Sequence, residues 1–400
     1  MSPSAHDAVG QQNGSRRAER VSIAEALNGH HNSLGLIRLV LASAVIFAHA
    51  YPLGGFGEGP WSLLTKNQTT LGSLAVLGFF AISGYLITKS GQNADVLQYF
   101  WRRVLRIFPA YWFVLLFAAF AVAPTAWIIA GNDIRNYFSR VPGNPFYYLG
   151  ANWDLSIGAF GVRDVFANTT PYGQLTGGSV LNGSIWTLSY EWQCYLIVGV
   201  AVALGVLTRA KVVIPIFTVL LLIIQGIAQN NRTLLVSFAP VLADQDLINL
   251  TLVFMLGATL AVYSKRVPYS NWLGLTAGIV TIATLGFGGF HTLGLISAAY
   301  FVMYLAARIP RSLHWIGARN DYSYGVYIYG FLVQQMLAFL GVYKLGYLPY
   351  ALIALIITFG FAWLSWHIIE KRTMQLKNWG PGRGISFWRQ RVRAALSTGR

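Results

Sequence analysis

The chain has 400 residues, of which 55% are hydrophobic, 14% aromatic and only 10% charged. A soluble domain carries roughly 25% charged residues, so this composition cannot cover a water-facing surface and much of the chain must face lipid. A net charge of +16 would suggest nucleic acid on a soluble protein, but here the basic residues stand in short blocks between apolar runs, which argues against nucleic acid and for the cytoplasmic loops of a membrane protein.

Residues 1–33 are polar and poor in apolar side chains, which predicts a mostly disordered cytoplasmic tail. Within it, Ser22 and Glu25 have capping-box spacing and are suited to start one short helix before the membrane. The first apolar stretch begins only near Leu34, too late for a cleavable leader, so it is expected to remain as an anchor. Windows of about 20 mainly apolar residues, the length that spans a bilayer, then fall at 34–53, 71–88, 107–130, 184–207, 212–228, 247–263, 272–287, 292–307, 322–342 and 348–369. The seventh and eighth are parted only by residues 286–291.

The basic residues follow the same count. Blocks such as Arg16–Arg17–Arg20, Lys89 with Arg102, Arg103 and Arg106, Arg209 with Lys211, Lys265 with Arg266, Arg308 to Arg319, and the whole C-terminal tail fall on one side of ten crossings. Only Lys66, Arg135, Arg140, Arg163, Arg232 and Lys344 fall on the other. This is the positive-inside pattern. It predicts an all-α integral membrane protein of about ten transmembrane helices, residues 34–370, with both termini cytoplasmic.

Two connections stand apart. The extracytoplasmic loop 131–183 is long and rich in Gly, Asn, Pro, Tyr and Trp, which suits either a sugar-binding surface or an interfacial lid. The tail 371–400 has no acidic residue and sets Trp388, Val392 and Leu396 among arginines, which suits either an amphipathic helix on anionic lipid or a solvated basic tail. One cysteine, Cys194, excludes an internal disulfide. The histidines outside the first span are scattered, and no zinc, P-loop or nucleophile-elbow signature occurs, so no metal is expected.

Charges at membrane depth are costly and mark functional positions. Here they are Arg38, His49 and Glu191, with Lys89, Asp321, His367 and Glu370 near span ends. Arg38 and His49 lie eleven positions apart on the first span, which returns to within about 20° of the same helix face and about 16 Å along the axis. The imidazole suits a general base; the alternative is a packed histidine beside a snorkelling arginine. Arg102, Arg103 and Arg106 form a basic cluster that fits the phosphates of a coenzyme A ester, or else serves as a topogenic stop. Glu191, two turns into the fourth span, needs a partner: His49, whose tautomer it would fix, or Arg38 or one of the clustered arginines. Ser83 and Gly84 sit mid-span, where small residues allow close helix approach.

Together these segments resemble the membrane-bound acyltransferase-3 family, whose members acylate surface polysaccharides and related acceptors. The likeness rests on Arg38 with His49, Phe79–Leu86, Arg103 and Arg106 with Pro109 and Tyr111, Trp186–Glu191, and Ser323, Tyr324 and Tyr327, in that order, over roughly residues 34–370. One departure is Tyr329, where many relatives carry a histidine. The resemblance implies transfer of an acyl group, acetyl being the expected one, from acyl-coenzyme A to a carbohydrate or glycolipid hydroxyl in the bacterial cytoplasmic (inner) membrane. His49, Glu191 and Arg38 are then the expected catalytic set. Arg102, Arg103 and Arg106 are expected to hold the donor, and Trp186, Ser83 and Tyr111 to line the substrate site. The same polar residues would also serve a transporter or flippase of a glycolipid or small solute, which needs no acyl donor, and a scaffold partner of an export machine is a third reading.

Overall fold

The computed structural model describes residues 21–29 and 32–398, so the expectation of a disordered tail over 1–20 lies outside the described residues. Numbered in chain order, the long helices are α1 Leu34–Gly54, α2 Leu71–Gly91, α3 Val96–Phe117, α4 Thr187–Ala203, α5 Val213–Asn230, α6 Gln245–Val262, α7 Asn271–Phe287, α8 Leu295–Arg308, α9 Ser323–Phe339, α10 Tyr347–Ser365 and α11 Ile385–Thr398. Among the described residues there is no β-strand beyond one isolated bridge between Ser22 and Pro268. Each apolar window read from the sequence falls on one of the first ten helices.

Among the described residues seven helical segments are long and apolar enough to cross a membrane. The other three, α4, α7 and α9, have 17 residues each. For α9 the shortness has a physical reason. Nearly every side chain on it is buried, so it packs against protein and not lipid, and the amide nitrogens of its two glutamines find partners there, while their Oε1 atoms and the Tyr329 hydroxyl are buried without one among the described residues. Gln334 donates to the Ile46 carbonyl and Gln335 to that of Val180. By contrast Val219 and Ile223 on α5, Ile279 and Ile282 on α7, and Ile356 on α10 are exposed. Such an apolar exterior belongs in lipid. The protein is a multi-pass membrane protein.

Local chemistry explains where the helices start. Asp95 and Gln98 form a capping box that opens α3 eleven residues before its apolar window, so the arginines at 102, 103 and 106 are already helical. α3 runs through a π segment, Ala118–Val122, to Ile129, a continuous span of 34 residues. Ser22 and Glu25 form their capping box on the short helix Ile23–Ala26. Gly288 and Gly289, both at positive φ, turn the chain between α7 and the π segment that leads into α8.

The tightest contact in the bundle joins α2 and α6. A side chain at Gly84 would overlap the Phe254 carbonyl, and one at Gly257 would overlap the Ala81 carbonyl. The two backbones therefore meet directly, as small residues allow in membranes. The connection 131–183 is ordered. It holds the helices Ile134–Tyr137, Pro145–Asn152 and Pro171–Thr176, and Arg163 ties its first part by donating to the carbonyls of Asn136, Tyr137 and Ser139. The C-terminal tail folds as α11, with Trp388, Val392 and Leu396 exposed along it.

Candidate active site

α1 crosses two polar spaces. Near its start, Arg38 lines a small chamber of about 50 Å³, together with Arg106 of α3, Glu191 and Tyr195 of α4, and Tyr324 and Tyr327 of α9. Near its end, His49 lines a cavity of about 1190 Å³ with Tyr51, Trp61, Trp186, Asp246 and Tyr327. Pro171, Gln174 and Leu175 of the 131–183 connection form part of that wall. The eleven-residue spacing thus carries Arg38 to one space and His49 to the other along a single helix stripe.

Two residues, Val76 and Tyr327, line both spaces and separate them. Tyr327 is held by its hydroxyl, which donates to the Ser184 carbonyl at 2.8 Å and shares a hydrogen bond with Thr187 at 2.5 Å. Its ring meets Phe79 at 5.9 Å between centroids. The partition is therefore built from the start of α4, α2 and the central α9.

At the small chamber the charges are paired. Asp321, just before α9, uses one oxygen, Oδ1, to accept from the backbone N–H and hydroxyl of Ser323, the first residue of that helix. Its Oδ2 accepts from Arg38 Nη1 at 2.5 Å and Arg106 Nη2 at 2.6 Å. Arg106 Nη1 also reaches Glu370 at 3.2 Å, and Glu370 is only 2% exposed. Glu370 lies on a π segment, Trp366–Glu370, at the end of α10. Such widened turns re-aim side chains and recur at functional sites.

Glu191 takes a different position from the one its sequence partners suggested. Its Oε1 accepts from Ser83 at 3.0 Å and from the Tyr195 hydroxyl at 2.6 Å. None of its hydrogen bonds goes to His49, whose ring instead stands edge-on to Phe331 at 5.3 Å. Ser83 and Glu191 are brought together across α2 and α4, so Ser83 holds the carboxylate and lines neither space. Trp186 does line the large cavity. Tyr111 does not reach either one: it is fully buried, and its hydroxyl donates to the Asn152 carbonyl at 2.6 Å, tying α3 to the 131–183 connection. The expectation that it contacts substrate finds no support in the lining of either space. Five residues beyond Arg106, about 1.4 turns, Tyr111 is both raised along α3 and rotated by about 140° away from that arginine's face.

The three arginines of α3 differ. Arg106 has both terminal nitrogens in ion pairs, whereas the Nε atoms of Arg102 and Arg103 are buried without a hydrogen-bond partner. The Arg103 guanidinium lies 5.9 Å over the Tyr195 ring. Sequence reasoning named Asp321 and Glu370 only as charges near span ends, named Tyr327 only as part of a family motif with no role at the site, and missed Tyr195. The signal for Tyr195 was its place one turn after Glu191; for the others, only the fold supplies the partner. Among the described residues no cluster of His, Cys, Asp or Glu is placed to hold a metal.

Fold and site together define a multi-pass membrane enzyme with a polar centre split by one aromatic wall. The chain belongs to the acyltransferase-3 family, its residues 31–367 matching the acyltransferase domain. It is 31% identical over 350 residues, 85% of this chain and 95% of the relative, to a protein named O-acetyl transferase of Shigella phage Sf6. It is 26% identical over 374 residues, 88% of this chain and 96% of the relative, to Nodulation protein 10 of Rhizobium leguminosarum bv. viciae. No solved structure matches the chain.

Proposed function

We propose that the protein is an O-acyltransferase that moves an acetyl group from acetyl-coenzyme A to a hydroxyl of a carbohydrate, such as an exported or surface polysaccharide. In this reading ten helices cross the bacterial cytoplasmic membrane with both termini inside, and the membrane unit is residues 34–370 between two cytoplasmic tails. The observation that carries the proposal is that Arg38 and His49, on one stripe of α1, face two spaces that share the Tyr327 wall. The name of the Shigella phage relative supports acetyl as the group.

A chamber of about 50 Å³ takes an acetyl-sized group and no nucleotide, since a single water already needs roughly 10–15 Å³ on this kind of measure. The nucleotide and its phosphates therefore stay at the mouth. Arg102 and Arg103, whose guanidiniums form no ion pair among the described residues, are the residues to grip them, because planar guanidinium forks match phosphate oxygens. Arg106 and Arg38, neutralised by Asp321 and Glu370, form the inner wall. Glu191 fixes Tyr195, over which Arg103 lies.

In the transfer step the acyl group passes Tyr327 to meet the acceptor hydroxyl in the large cavity, where His49 takes the hydroxyl's proton. The hydroxyl oxygen bonds to the acyl carbon, the carbon–sulfur bond breaks, and the electron pair leaves with the thiolate of coenzyme A. A proton returned from the imidazolium restores both groups. A transient acyl-imidazole would use the same residue in two steps. The test is purified protein in nanodiscs with labelled acetyl-coenzyme A. Release of free coenzyme A that requires His49 is expected; full turnover by His49→Ala would overturn the reading.

A further inference from the structure

The large cavity says what kind of acceptor fits. The protein as a whole carries a net charge of +16, yet among the described residues no Lys or Arg lines this space. Its ionisable lining is Glu58 and Asp246 with His49 and His291. Neither acid is ion-paired among the described residues. The nearby Lys66 turns elsewhere, its Nζ lying 5.9 Å over the Phe287 ring. The rest of the polar lining is Asn67, Gln68, Gln174, Asn249 and hydroxyl groups, interleaved with Trp61, Trp186 and Tyr51.

Amides donate and accept hydrogen bonds with hydroxyls, unpaired carboxylates accept them, and flat aromatic faces cover the C–H faces of pyranose rings. Two unpaired carboxylates with no cation repel an anion. At about 1190 Å³, the space exceeds the roughly 300–1,000 Å³ of pockets for single small molecules, so it has room for several linked rings.

We propose that the acceptor segment held here is a hydroxyl-rich oligosaccharide stretch bearing no carboxylate or phosphate, and that Glu58 and Asp246 reject anionic glycans. This rests on the acyl-transfer reading above and names its substrate class.

The experiment uses the full chain in nanodiscs and reads tryptophan fluorescence, as Trp61 and Trp186 line the cavity. A panel of neutral oligosaccharides (maltotriose, cellotriose, chitotriose and a rhamnose-containing trisaccharide) is titrated against trigalacturonate and a phosphorylated trisaccharide, with labelled acetyl transfer followed in parallel. At least one neutral probe is expected to bind at least about tenfold more tightly than either anion. The double variant Glu58→Gln with Asp246→Asn is expected to narrow that ratio several-fold. Equal or tighter binding of the anions, no binding by any neutral probe, or a ratio unchanged in the double variant would overturn the proposal. Neutral selectivity without coenzyme A release would sink the transfer reading and uphold the cavity's selectivity. Acetylation of anionic and neutral probes alike would do the reverse.

Discussion

Arg106 and Asp321 are 215 positions apart in the chain and 2.6 Å apart in space. The same Asp321 oxygen accepts from Arg38 of α1, so one carboxylate gathers two guanidiniums from separate helices beside the small chamber. The pair tests whether the chamber is built by charge. Asp321→Ala leaves two like charges facing each other, and removing one partner of a buried pair costs about 3–5 kcal/mol. These side chains are 16–21% exposed, so a loss of about 2–3 kcal/mol is expected after screening. Thermal unfolding in detergent should show a clear drop, and an unchanged midpoint would mean the ion pairs are incidental.

His49→Ala should insert at normal level and lose about 100- to 10,000-fold in acyl transfer, the usual cost of a missing general base. Rates from labelled acetyl-coenzyme A with a saturating neutral acceptor decide it. A change only in KM would recast His49 as an acceptor-binding group.

The α3 arginines should separate by role. Arg103→Gln removes a guanidinium whose Nε has no protein partner and should raise the KM for acetyl-coenzyme A roughly ten- to a hundredfold, with little change in thermal stability. Arg106→Gln strips both Asp321 and Glu370 of a partner and should lower stability as well as rate. Identical behaviour of the two variants would remove the distinction.

Tyr327→Ala opens the wall between donor chamber and acceptor cavity. Water should then reach the thioester, raising coenzyme A release without acceptor several-fold while transfer falls. Tyr327→Phe keeps the ring and loses only the bonds to Ser184 and Thr187, so it should sit between the wild type and Ala. Tight coupling in the Ala variant would show that Tyr327 does not divide the two spaces.

Gly84 and Gly257 seat α2 against α6 with backbone on backbone. Gly84→Ala should cost about 1–3 kcal/mol through overpacking, seen as a lower unfolding temperature and yield. Gly226, with open space around it, is the control that should tolerate alanine.

Much of the architecture was legible because hydropathy and spacing belong to contiguous chain. The apolar windows coincide with helices, Ser22 and Glu25 cap as their spacing required, and the Arg38–His49 stripe follows from helical geometry. The misreadings arose where composition and conformation part. The α3 window began too late because arginines depress hydropathy without breaking a helix that Asp95 had already opened. Glu191 plainly needed a partner at membrane depth, yet nothing local pointed across the bundle to Ser83.

By itself, then, the sequence determined an all-helical membrane protein, the stripe that bears Arg38 and His49, and the residues too costly to bury without purpose. Only the tertiary structure decided which charge meets which, that Tyr111 serves the frame, and that Tyr327 walls one space from another. Helix formation and apolar patterning are set within a few turns, whereas ion pairing, cavity shape and the division of donor from acceptor depend on groups that hundreds of residues separate and only packing unites.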